Sequence, residues 1–319
     1  MLELMKGARL LVETCAKVKV GEKVLIVVDN EAFPVRMGKV VLGAVDFVGA
    51  EAVLAIIKPR EGAACEPPDA IAAAMKNVNV MIYLTNRHGM AHTDARKEAT
   101  SAGVRTYQMI AVPEDYFKRD ITVADIEAIE NRTDTLARKL SKAGHARITT
   151  PAGTDLTMSL EGRKGVGIHP LCENLGGFPD YAEAAIAPLE GTAEGIMVID
   201  VAVLGWEYVF KQPIRCVVKS GKVVEIDGGE DAERLRKIAA TDENASNIAE
   251  LGIGTSHTIP RIFRATRRDG AIAGTLHIAI GRNNDIGGTT WSQVHHDGLM
   301  DRPTVKLDGE VVLRDGVLL

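Results

Sequence analysis

Glycine is spread so unevenly along this chain that two architectures are required of it: 9 of its 31 glycines lie in residues 1 to 150 and 22 in residues 151 to 319. In the first part, short apolar runs (Val24 to Val28, Ala52 to Ile57, Val80 to Leu84) alternate with helical patterns such as Val35 to Val48. Short strands separated by helix-length segments predict an α/β layer with a mostly parallel sheet. The last helix of this part is the best defined, because Ile126, Ile129, Thr133, Leu136 and Leu140 recur at intervals of 3, 4, 3 and 4. Gly144 follows it in C-cap position.

The second part reads as strands and turns. Cys216 to Val218 and Lys222 to Ile226 flank Ser220-Gly221, and Thr304 to Leu307 and Glu310 to Leu313 flank Asp308-Gly309, both hairpin signals. One helix, Glu230 to Ala240, interrupts the strands with Leu235, Ile238 and Ala239 on its inner face. The fold class is thus α/β: an N-terminal α/β scaffold domain over residues 1–145, then a strand-rich α+β domain over residues 146–319.

Composition narrows the function classes. At 46% apolar and 25% charged, with a formal charge of −5, the chain has a globular composition and no dense Lys/Arg run. Nucleic acid and anionic membrane are therefore not the expected partners. The N-terminal segment puts Leu4, Ala8, Leu11, Val12 and Cys15 on one helical face, with Glu3 and Glu13 among its apolar residues, which predicts a packed helix and not a secretory signal. No apolar run reaches the roughly 18 to 20 residues that span a bilayer, so a cytoplasmic protein is expected. Cys15, Cys65, Cys172 and Cys216 stand far apart with no CxxC pair, and read as core thiols. The first strand-to-helix turn, VVDNEAFPVRMGK, has no GxGxxG or P-loop pattern, and Asp29 and Glu31 would repel phosphate there.

Histidine collects in the second part: His169, His257, His277, His295 and His296 are five of the eight. In GTLHIAIG the period-2 pattern puts Leu276, Ile278 and Ile280 on one face and Thr275, His277 and Ala279 on the other, so His277 points away from the apolar side with small neighbours. In WSQVHHDGLM, His295 and Asp297 are two apart, and on extended backbone their side chains converge while His296 turns away. Alone, an HxD pair is more often a loop feature and a strand histidine more often a core residue. Two acids change that balance: Glu250, in NIAELGIGT, and Glu183, in PDYAEAAIAP, stand in apolar surroundings where an unpaired carboxylate is costly to bury, although each could instead face solvent. Nitrogen and oxygen ligands without thiolate suit Zn²⁺, Co²⁺, Mn²⁺ or Fe²⁺.

The succession EAAIAP, NIAELGIGT, GTLHIAIG, WSQVHHDGLM and PTVKLDGEVV resembles the thermophilic metallo-aminopeptidases of the aminopeptidase T and S group, and the opening LVETCAKVKVGEKVLIVVD is similar to theirs. The resemblance implies a homodimer whose C-terminal catalytic domain holds two divalent metals per chain (zinc, cobalt or manganese) and cleaves a small peptide or amino-acid amide. Carried over residue by residue, it makes Glu183, Glu250, His277, His295 and Asp297 the metal ligands, with a glutamate relaying the proton to the leaving amine. Where those peptidases carry a tyrosine after the HxAxG strand, this chain has Asn284, a shorter hydrogen-bond donor; the chain is also shorter than theirs. A related branch, the Fe(II) ring-cleaving enzymes of the 2,5-dihydroxypyridine dioxygenase type, competes: His277, His295 and Asp297 make two histidines and one carboxylate, but that branch carries a histidine at the position of Glu250. Trp206, Trp291, Tyr181, Tyr208 and Phe178 are candidates for a substrate pocket or for core.

Overall fold

The computed structural model describes residues 2–60, 65–86, 89–90, 93–110, 114–171, 173, 175–177 and 180–319. Cys172, expected in a core, and Phe178, a candidate pocket wall, lie outside them. The chain forms two compact units, residues 1–130 with 168–181, and residues 131–167 with 182–319. It therefore passes between units three times, where a boundary near residue 145 expects one passage.

The first unit is built on the expected parallel sheet. Strands β1 (Lys23–Asp29), β2 (Glu51–Ile57), β3 (Val80–Thr85) and β4 (Arg105–Ile110) lie in the order β2-β1-β3-β4, and β8 (Gly176–Gly177) adds to β4, every pairing parallel. Six of the seven residues of β1 are buried because both faces of the sheet are covered. Val24, Ile26 and Val28 pack with Leu4, Ala8, Met37, Val41 and Phe117, from α1 (Leu2–Arg9), α2 (Ala32–Val48) and α5 (Asp115–Lys118). Leu25 and Val27 pack oppositely with Met75, Ala95 and Ala99, from α3 (Asp69–Met75) and α4 (Asp94–Ser101). α1 continues into a π turn, Leu10–Cys15, and the five residues of the expected apolar face are all buried. α2 stops at Gly49, whose φ of 82° no side chain would favour and whose N–H closes on the carbonyls of Val45 and Asp46.

In the second unit, two sheets share one core. An eight-stranded sheet includes β5 (His145–Thr149), β6 (Asp155–Ser159), β10 (Glu194–Ile199), β12 (Ile214–Lys219), β13 (Lys222–Asp227), β17 (Thr304–Leu307), β18 (Glu310–Arg314) and β19 (Val317–Leu318). A six-stranded sheet runs β11 (Ala202–Val203), β16 (His295–Met300), β15 (Leu276–Gly281), β14 (Ile248–Gly254), β9 (Glu183–Ile186), β7 (Val166–Ile168). Ile148, Leu156 and Met197 of the first meet Leu251, Ile253, Leu276, Ile278 and Ile280 of the second, with Leu136 and Leu140 of α6 (Val123–Lys142) and Leu235 of α7 (Glu230–Ala239) closing the core.

Both expected hairpins are present, and their turn residues, Ser220-Gly221 and Asp308-Gly309, all have positive φ, as a two-residue type I′ connection requires. A third, Asp315-Gly316 between β18 and β19, repeats the device. Gly144 is no left-handed cap: its N–H donates to Asp308. Among the described residues no helix is long and apolar enough to cross a membrane.

Candidate metal centre

The six-stranded sheet has one greasy face and one chemical face. Leu276, Ile278 and Ile280 of β15 go into the core, so His277 and Ala279 project oppositely, as the sequence pattern predicts. Strand pairing sets His277 opposite Gly252 and Leu299, Ala279 opposite Glu250 and Asp297, and Gly281 opposite His295. On the far side of β14, Glu183 stands opposite Gly254. Glu183, Glu250, His277, His295 and Asp297 are thereby gathered on one face from four adjacent strands. His295 and Asp297 lie on extended backbone, which their convergence requires.

Glu250 reaches this face through a backbone irregularity. Ile248 and Leu251 both belong to the core, which strict alternation forbids for residues three apart. A register shift between Ile248 and Glu250 adds one residue to β14 and turns the carboxylate outward while its neighbours stay in. Space comes from glycine: a Cβ at Gly252 would lie 2.0 Å from His277 Nε2, and one at Gly270 would lie 3.3 Å from its Nδ1.

The five side chains form two groups of three, Glu183–Glu250–His277 and Glu250–His295–Asp297, with the ligand atoms of each group within 4.8 Å of one another. Glu250 is common to both and divides its oxygens: Oε1 is 3.6 Å from His277 Nε2 and Oε2 is 3.1 Å from His295 Nε2. Glu183 Oε2 is 3.5 Å from His277 Nε2, and Asp297 Oδ1 is 3.1 Å from His295 Nε2. His295 Nδ1 donates to the Arg282 carbonyl at 2.8 Å, since a carbonyl can only accept; this fixes the tautomer that presents Nε2 to the group. Asp297 Oδ1 is buried, and the group that faces it is the His295 imidazole. Buried, convergent Nε2 and carboxylate atoms without a thiolate fit a divalent first-row ion.

Electrostatics point the same way. Burial by itself would raise Glu250, but hydrogen bonds from His277 and His295 and their charges hold it below the usual carboxylate range. Burial opposes ionisation of Asp297 too, and the charge of His295 and its hydrogen bond, then the charges of His277 and Arg267, hold it ionised. Burial would lower His277, yet its bond to Glu250 and the charges of Glu183, Asp297 and Glu250 raise it to about 9. His295 is raised well above its ordinary value against burial, by Asp297 and Glu250. His296, on the core side, is pushed down to about 4 chiefly by burial.

At neutral pH the metal-free centre thus holds protons where a metal ion would sit. Loading is expected to release roughly two protons per centre, with affinity rising as pH climbs towards about 9. Calorimetric titration with zinc in two buffers of different ionisation enthalpy measures this; the same heat in both would mean that the imidazoles are already neutral. The sign for the metal-free fold is opposite. The raised His277 contributes stability that is fully present below about pH 6.5 and lost as pH passes about 9.

The other candidate residues are apart from this cluster or turned from it. Asn284 is exposed, and its Oδ1 accepts from Arg282 at 3.3 Å. His257 is exposed and its Nδ1 lies 3.1 Å from Arg132, while His169 Nδ1 accepts from the Leu171 N–H. Trp206 is buried against Phe210, with Tyr208 half exposed beside them, and Trp291 is exposed. Sequence reasoning missed the Arg282 carbonyl, which carries no side-chain signal, and Gly252 and Gly270. The alternate glycines of LGIGT were the visible sign of a side chain approaching from the next strand.

Among curated proteins, no sequence matches this chain. The 2,5-dihydroxypyridine dioxygenase of Pseudomonas putida KT2440 superposes with a TM-score of 0.84 at 18% identity, over 99% of this chain and 96% of that one. Wild-type AmpT of Thermus thermophilus superposes at 0.73 and 19% identity, over 100% and 99%. These likenesses establish the shared two-part fold. The sequence itself matches the family model of 2,5-dihydroxypyridine 5,6-dioxygenase from residue 5 to residue 319, and by that match the chain belongs to this family.

Proposed function

We propose that this member of the family is a metal-dependent hydrolase that cleaves an amide bond next to a free amine, in a small peptide or amino-acid amide. The observation that carries the reading is the division of Glu250: each oxygen faces a different imidazole, and each imidazole belongs to a separate group of three. Glu183, Glu250 and His277 would hold one divalent ion and Glu250, His295 and Asp297 a second, zinc, cobalt or manganese, with Glu250 serving both groups. When bound, a pair of divalent ions supplies an acidified water and polarisation of the scissile carbonyl. Glu250 holds the two groups in register, and the Arg282 carbonyl keeps His295 in the ligating tautomer. Glu183 belongs to one group only, and we assign it the proton that passes to the leaving amine. Asn284 offers an amide donor in the stretch where the resembling peptidases carry tyrosine. Small-molecule substrates, a homodimer and a cytoplasmic setting complete the proposal.

A mononuclear Fe(II) ring-cleaving dioxygenase is the second reading, favoured by the family match. Against it, His277 is grouped with the two glutamates and not with His295 and Asp297. The two readings differ in something countable. The hydrolase is expected to hold up to two ions per chain by elemental analysis, to release p-nitroaniline from amino-acid p-nitroanilides, and to need no oxygen. One iron per chain, oxygen uptake with 2,5-dihydroxypyridine and tolerance of Glu183→Ala would overturn it.

A further inference from the structure

The connection between β14 and β15 carries Arg261, Arg264, Arg267 and Arg268. Arg261 pairs with Asp301, and Arg264 is exposed. Arg267 differs from both: it is half-buried, and among the described residues its guanidinium has neither an ion-pair partner nor a hydrogen-bond acceptor. Five donors in a fixed fork are rarely left unspent where water is scarce, because desolvating them without a counter-charge costs free energy.

Its position is held firmly. Arg267 begins a 3-10 turn, Arg267–Ala271, braced by Asp269, whose carboxylate accepts from the Arg264 N–H and the Thr266 hydroxyl. Gly270 of that turn lies against the His277 ring and Leu204. The Leu204 N–H in turn donates to the Asp297 carbonyl at 2.9 Å. The next residue, Gly205, has the Arg267 Nε and Nη2 at 3.9 Å from where its Cβ would stand. The guanidinium thus stands beside Gly205, next in sequence to the Leu204 that bonds the Asp297 backbone, and its charge acts on the Asp297 carboxylate. A dipeptide extended from its amine to its carboxylate spans about 7 Å.

We propose that Arg267 anchors a carboxylate of the substrate, which makes the substrate class short peptides with a free C-terminus, dipeptides foremost. The inference rests on the hydrolase reading. Asp297, the anion on which the Arg267 charge acts, would be shared with the cation, and among the described residues none accepts a hydrogen bond from the fork, so a substrate carboxylate would engage it by two parallel hydrogen bonds.

The test compares alanyl-alanine with alanyl-alaninamide on the metal-loaded full chain. The wild type is expected to favour the free acid in kcat/KM by at least about tenfold. In Arg267→Ala that ratio falls to near one, and in Arg267→Lys it is partly restored. A binding readout runs beside it: the unreactive isosteres of both dipeptides, with the scissile amide reduced to a methylene-amine, titrated calorimetrically. Arg267→Ala is expected to weaken the acid isostere about tenfold relative to the amide isostere. An acid-to-amide ratio that is the same in the wild type and Arg267→Ala, in turnover or in binding, overturns the anchor. Absence of turnover of either dipeptide overturns the hydrolase reading instead, and the isosteres then decide Arg267 alone.

Discussion

Glu250→Ala is expected to remove metal from both halves of the centre at once, whereas His295→Ala or Asp297→Ala removes it from one. The difference follows from membership: Glu250 belongs to both groups of three, and His295 and Asp297 belong to the same one. With up to two ions bound by the wild type, elemental analysis after dialysis should read well below one ion per chain for Glu250→Ala and close to one for the other two. The affinity lost with a direct ligand exceeds the roughly 10–100-fold that an outer hydrogen-bond partner is worth. Hydrolytic turnover should fall with the metal content in all three. Folding should survive, because Ile248, Leu251 and Ile253 keep β14 in the core whatever stands at position 250. Glu250→Gln separates charge from shape. It keeps the volume and one carbonyl oxygen but cannot bridge two cations as an anion, so its metal content should resemble Glu250→Ala. Full occupancy in Glu250→Ala would show that two separate sites, and not one shared carboxylate, organise this face.

Much of this arrangement was legible in the residues, for physical reasons that also mark where legibility ended. The parallel layer could be read because a sheet covered on both faces needs continuous apolar runs, and β1 and β3 have them. The hairpins could be read because positive φ at two successive positions selects Ser-Gly and Asp-Gly. His277 and the His295–Asp297 pair could be placed on one face from a period of two alone. Glu250 could not: parity from Leu251 turns it away from the core, parity from Ile248 turns it in, and only the bulge between them decides. The return of residues 168–181 to the first unit was equally hidden, because Gly176-Gly177 pairs with β4 through main-chain groups that any sequence possesses. Arg267 gave no periodic signal either, since its place is set by a short turn fixed through Asp269.

Gly252→Ala tests whether the centre was given its room by this one position. Gly252 is absent from the residues with positive φ, so alanine meets no backbone objection there; the objection is space alone. Its Cβ would stand 2.0 Å from Nε2 and 2.3 Å from Cε1 of His277, far inside any real contact. β14 cannot retreat, because it is paired to β15 on one side and β9 on the other and its next residue, Ile253, is locked in the core. The ring cannot simply slide away either, since Gly270 of the 3-10 turn lies against its Nδ1 and Cε1 side. Overpacking of this kind costs about 1–3 kcal/mol, which should appear as a lower melting temperature of the metal-free protein. The sharper result is selective: the Nε2 atom displaced is the one that faces Glu183 and Glu250, so the group containing His277 should lose its ion while Glu250–His295–Asp297 keeps one. Gly252→Ala should therefore read about one ion per chain with its remaining affinity near that of the wild type. If it binds as much metal as the wild type at unchanged affinity, His277 is not held against β14 and the two-ion reading loses one of its ligands.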